Sequence, residues 1–194
     1  MQLPFALAAL AAIAALPAMA AEETYVIDPV HSQPQWEAGH IGFSNQHGNF
    51  GKVAGKITLD RAAHTGAIDV VIDATSIRTY DSRLDAIVKG ERFFNVEKFP
   101  TITFKSTRVD FDGDRLVRAE GDLTMLGVSR PVTLTVANLR CGEQAFNKKP
   151  MCGAEATTTI RRSEWGMTNG VAIGNPSDEI RLVVPVEAYL QPAP

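Results

Sequence analysis

The chain is poor in the features that mark several common functions. Its 194 residues include only two cysteines, and 19 Lys and Arg are set against 22 Asp and Glu, for a net charge of −3. That balance argues against a nucleic-acid partner, which normally needs a basic face. There is no Cys-x-x-Cys redox motif and no Gly-x-Ser-x-Gly hydrolase elbow. No His-Glu-x-x-His or His-x-x-x-His places two imidazoles on one helical face. Beyond residue 20 no apolar run approaches the roughly 20 residues a membrane-spanning helix needs. No motif repeats at a fixed period, and no stretch has linker composition.

What is present begins with an export signal. Ala6 to Leu16 is apolar but too short to span a bilayer, and Pro17 and Ala18-Met19-Ala20 follow it as a small-x-small cleavage site. The first five residues contain no Lys or Arg, so the amino terminus alone supplies the usual positive charge. Residues 1–20 are therefore expected to be a signal peptide, with residues 21–194 as one domain exported to the periplasm. Cys141 and Cys152, close in sequence, fit that oxidising address and are expected to pair.

The mature chain is a succession of short segments with period-two alternation, the mark of strands with one apolar face. Such segments occupy Tyr25–Ile27, 33–41, Phe50–Asp60, Ala67–Ala74 and Thr101–Phe111. Others follow at Leu116–Met125, Pro131–Leu139, Ala154–Arg162 and Glu179–Leu190. The polar, Gly-containing stretch Phe43–Gly51 reads as a loop, and Asp112-Gly113-Asp114 as a hairpin turn. One helix is expected between Asp81 and Gly90, opened by a capping box of Ser82 and Asp85. Its stripe of Leu84, Ile87 and Val88 should dock on the sheet. About eight strands and hairpin-length turns predict an all-β, single antiparallel barrel, whose closure removes exposed edges. A barrel of that size holds one small or slender ligand.

Several motifs in order carry a family resemblance. They are Asp28-Pro29-Val30-His31-Ser32, His40-Ile41-Gly42-Phe43-Ser44, Gly48-Asn49-Phe50 and the long run Phe93 to Ser106. Gly121-Asp122-Leu123-Thr124 with Gly127-Val128, and Arg162 to Met167, complete them. On these residues the chain resembles the YceI-like family of polyisoprenoid-binding periplasmic proteins across almost all of its mature length. The bracketing cysteines also look like those of one branch of that family. The resemblance implies a lipocalin-like barrel that holds a long isoprenoid, or a similar amphiphile, in its lumen. It implies no catalytic residue, no cofactor and no obligatory metal, and it makes a homodimer an expectation. Two features depart from the pattern. Ile87 stands where members carry a helical His, and Pro34 and Ala38 replace bulkier aliphatics.

The candidate ligand-binding residues are Trp36, Ala38, His40, Phe50, Ile57, Ile72, Phe94, Phe104, Leu123, Leu134, Val136 and Trp165. Each buried methylene of a lipid adds about 0.8 kcal/mol, ample driving force for a chain of isoprene units. An isoprenoid quinone is the most natural cargo. Alternation places His40 as a polar ring inside the lumen. His31, His40 and His47 with Asp28 form the alternative, a metal-bearing or catalytic group acting on such a lipid. Arg161, Arg162, Arg140, Lys148 and Lys149 form a basic group suited to an anionic head group or to transient membrane-surface contact, or else plain solvated charge. The third reading is a stress-response interaction protein whose barrel is filled by its own side chains.

Overall fold

The computed structural model describes residues 22–192, so the expected signal peptide lies outside the described residues. Eleven strands are present: β1 (Glu23–Ile27), β2 (Gln35–His40), β3 (Ser44–Phe50), β4 (Val53–Asp60), β5 (Thr65–Asp73) and β6 (Ile77–Arg78). The helix α1 (Ser82–Lys89) follows, then β7 (Thr101–Asp112), β8 (Arg115–Met125), β9 (Val128–Glu143), β10 (Pro150–Arg161) and β11 (Glu179–Leu190). All pairings are antiparallel, and β1 pairs with both β4 and β11, which closes a ring of eight: β1, β4, β5, β7, β8, β9, β10 and β11. This is the antiparallel eight-stranded barrel with one short helix expected from the alternation.

The three remaining strands are continuations. Strand β2 runs on from β1 along the same neighbour, since β11 pairs with β1 at Ala188–Leu190 and with β2 at Ile180–Val183. Likewise β3 and β4 are two halves of one strand, as are β5 and β6. The breaks fall side by side and are stitched together, with Gly51 N donating to Ser76 O at 3.2 Å and Asp73 N to Lys52 O at 3.0 Å. In the gap between β1 and β2, the buried Ser32 hydroxyl takes a strand's place against β11. It donates to Glu187 O at 3.0 Å and accepts from Glu187 N at 2.9 Å. Backbone N–H groups two residues apart point the same way along a strand, so the N of Pro185 faces this gap. A proline mid-strand therefore costs no ladder bond here.

Two local expectations change. Ser44–Phe50 is a strand and not a loop, because β2 supplies a partner for each residue from Ser44 to Asn49. Tertiary pairing overrides the weak strand propensity of Ser, Asn, Gln and Gly. The helix is capped one residue earlier than the capping box suggests: the Asp81 carboxylate accepts from Arg83 N, while Asp85 reaches back to Thr79 N. Its stripe does not dock as a whole. Leu84 and Ile87 are 40% and 53% exposed, and Val88 alone packs against the core.

The barrel wall admits close approaches where side chains are missing. A Cβ on Gly121 of β8 would stand 2.4 Å from Lys105 O and 2.7 Å from both Phe104 Cζ and Ser106 Cα. The bare backbone there is what lets the Phe104 ring lie across the strand. Gly121→Ala is expected to lower stability by about 1–3 kcal/mol in denaturant unfolding, the range for overpacking. An unchanged midpoint would mean that Phe104 moves aside freely.

The β1–β2 gap also holds an ion pair, His31 Nδ1 to Asp28 Oδ2 at 2.7 Å. Burial pushes the Asp28 carboxyl up, but bonds from His31 and the Val30 N–H outweigh it and hold the group below its ordinary range. The Asp28 bond raises His31. The raised His31 stabilises the fold below its unfolded pKa, and that contribution disappears as pH rises through the folded value. The depressed Asp28 acts conversely: its contribution is present above the unfolded pKa and lost as pH falls through the folded one. In Asp28→Asn the His31 titration followed by NMR should fall back toward about 6.5. A midpoint equal to wild type would mean that the pair does not hold the His31 charge.

Candidate functional site

The eight strands enclose a cavity of about 220 Å³. An engineered cavity of about 150 Å³ lined by aliphatic and aromatic groups stays dry and takes up benzene, so a lumen of this size and lining suits an apolar guest. Its wall is built by alternation, clearest on β11, where Ile180, Leu182, Val184, Val186 and Ala188 all point inward. Void space remains because one side of the barrel carries small residues. The inward row of β10 reads Cys152, Ala154, Ala156, Thr158, Ile160, and Ala38 faces in from β2. Larger groups, Phe50, Phe93, Phe94 and Phe104, stand in the same wall.

Ten of the twelve sequence-derived candidates line the lumen: Trp36, Ala38, Phe50, Ile57, Ile72, Phe94, Phe104, Leu123, Leu134 and Val136. His40 does not. Ala38 still faces Ile180 of β11, but β11 begins at Glu179, so His40 stands beyond the rim, opposite Ser44 near the hairpin tip. Trp165 is 2% exposed but does not line the lumen either. It belongs to the 3-10 turn Arg162–Trp165, which carries its indole beneath β8, where Nε1 donates to Leu123 O at 3.1 Å. Trp36 rests on Gly48, where an added Cβ would overlap the indole ring at 2.4 Å. Its Nε1 is the one buried side-chain polar atom without a partner among the described residues.

The histidines do not assemble as a group. Among the described residues the cluster with metal-ligating spacing is Asp28, His31 and Glu187, and neither His40 nor His47 belongs to it. It lies at the β1–β2 gap, and none of its members lines the lumen.

The basic group separates as well. Arg162 is 2% exposed and lines the lumen, whereas Arg161, one residue earlier, is exposed and sits 3.8 Å from Glu179. The alternation carries this signal, because Arg162 extends the inward series Ala156, Thr158, Ile160. Burial lowers the Arg162 pKa, and the nearby Asp178 partly offsets that.

The barrel's other end is strapped. Arg61, just after β4, donates to Glu23 Oε2 of β1 at 3.1 Å, to Asp114 O of the β7–β8 turn at 2.9 Å and to Cys141 Sγ at 3.1 Å. It thus reaches across to the opposite wall, where Cys141 and Cys152 are disulfide-bonded between directly paired positions of β9 and β10. Tyr25, Leu59, Leu116 and Leu139 line the lumen beneath it.

The fold and sequence have relatives. The Salmonella arizonae and Salmonella paratyphi B proteins called Protein YceI are each 32% identical to this chain over 175 residues, covering 90% of either chain. The Campylobacter jejuni YCEI protein superposes with a TM-score of 0.67 at 25% identity, covering 79% of this chain and 90% of its own. A polyisoprenoid binding domain from Saccharophagus degradans shares the fold at a TM-score of 0.64 and 14% identity, covering 86% and 98%. The YceI-like domain pattern matches residues 25–188, nearly the whole barrel, and the chain belongs to that family.

Proposed function

We propose that this protein is a periplasmic carrier or reservoir for an isoprenoid lipid, held with its chain in the barrel lumen and an isoprenoid quinone its most natural cargo. The observation that carries this reading is a continuous apolar lumen left open inside a closed barrel. A barrel evolved only as a scaffold gains stability by filling such space, since each unfilled volume forfeits packing. The 14%-identical structural relative called a polyisoprenoid binding domain points the same way. The periplasmic address rests on residues 1–20 and agrees with the Cys141–Cys152 disulfide. A binding role is favoured over the enzymatic alternative, which would use His40 or a His-bound metal, because neither His40 nor the Asp28–His31–Glu187 cluster lines the lumen.

The test is native mass spectrometry of protein from the periplasm, followed by extraction and identification of what it carries. A co-purifying isoprenoid near one per chain is the expected result. An apo mass, with no lipid taken up on incubation, would sink the proposal. A filling variant supplies the control: Ala156→Phe places a ring in the lumen and should abolish uptake while the barrel remains folded by circular dichroism. Affinity should also rise with chain length by about 0.8 kcal/mol per methylene until the lumen is full, then level off.

A further inference from the structure

One charged side chain stands in the lumen wall. Arg162 Nε donates to Ser177 O at 2.8 Å, Nη1 to Met167 O at 2.7 Å, and Nη2 to Asn169 O at 2.8 Å and Pro176 O at 2.7 Å. A guanidinium has five N–H groups. Among the described residues four are used, and one on Nη1 is left. The nearby carboxylate, Asp178, spends its oxygens on Ser163 N at 2.9 Å and Ser163 Oγ at 2.8 Å. The Phe93 ring lies 6.0 Å from the guanidinium carbon, at the outer limit of a cation–π contact.

Backbone carbonyls spread this charge, and Asp178 offsets it in part from a distance without bonding to the guanidinium. Pinning the loop of residues 167–177 would explain the four bonds. It would not explain why the group also borders an apolar cavity. Trp36, in the same wall, adds a second donor, its unpartnered Nε1–H. The lumen is thus apolar at its surface, with these two N–H groups set into its wall.

We infer that Arg162 marks the head-group end of the lumen: the cargo carries an oxygen acceptor at one end, seats that oxygen against the spare Nη1–H, and runs its apolar tail toward Tyr25, Leu59 and the disulfide. This rests on the carrier reading and deepens it. A hydroxyl, a quinone carbonyl and a carboxylate share the required chemistry. A charge-assisted bond to a carboxylate is the strongest of the three.

The test uses the wild-type protein and three isoprenoids of equal chain length, namely the hydrocarbon, the alcohol and the carboxylic acid. Binding is measured by titration, and the Arg162 Nε–H resonance is followed by NMR. The alcohol and the acid should bind at least about tenfold more tightly than the hydrocarbon, and both should shift that resonance. A further gain for the acid over the alcohol would assign an anionic head group, and equal affinity of the two a neutral one. If all three bind equally and the resonance stays in place, Arg162 is a loop staple only, and the carrier reading survives without it. If none binds, the carrier reading falls and takes this inference with it. Arg162→Lys keeps the charge but cannot span four carbonyls, so it should lower Tm as well as selectivity. Comparing ligands on the intact protein separates the two effects.

Discussion

Closure of the ring depends on a short antiparallel contact, Tyr25, Val26 and Ile27 against Leu190, Tyr189 and Ala188. Both chain ends of the domain are committed there, so every strand between them is forced into a cylinder with a defined inside. Without that contact, β4 and β11 would present open edges and the inward rows would face one another across a cleft. The same contact fixes parity. Once Tyr25 and Ile27 point in, the register of β4, β5 and each later neighbour determines which residues meet in the lumen.

What lies inside reflects an uneven choice of volumes. Aromatics crowd the wall at Phe50, Phe93, Phe94 and Phe104, while the inward row of β10 is mostly small. Close packing would need the side chains at each level to fill the space between the walls, and here a cavity of about 220 Å³ is left. The remaining space is apolar and suited to a slender chain. The two ends differ in chemistry. At one, Arg61 ties β1, the β7–β8 turn and the disulfide together across the barrel. At the other, the buried Arg162 holds the loop of residues 167–177 by its carbonyls. An amphiphile in this lumen therefore meets an asymmetric container, which supplies a physical basis for orientation.

The breaks in three adjacent strands set where that asymmetry arises. Past the breaks, β2, β3 and β6 continue the wall, and α1 sits by β6 with most of its apolar stripe exposed. The helix is held by its caps, Asp81 at the start and the Asp85–Thr79 bonds beside it, more than by burial. Eight residues with little burial form a marginal element.

Much of this was determined by the sequence alone. Alternation in Glu179–Leu190, Thr101–Phe111 and Ala67–Ala74 fixed strand type, inward faces and all-β class, because a two-residue period survives any arrangement of neighbours. The same parity named nine of the wall residues before any strand was paired, and the aromatic run after the helix supplied a tenth, Phe94. Tertiary structure decided the rest. Ser44–Phe50 became a strand because β2 lies beside it, and His40 fell outside the lumen because β11 begins one residue short of it. Trp165 was turned beneath β8 by the 3-10 segment that follows β10. Arg161 and Arg162 look alike in sequence, yet one is solvated and the other buried in the wall. That difference is set by strand parity together with the Met167, Asn169, Pro176 and Ser177 carbonyls that a folded loop brings to one point. Local pattern states which way a side chain faces; only the assembled barrel states what it meets there.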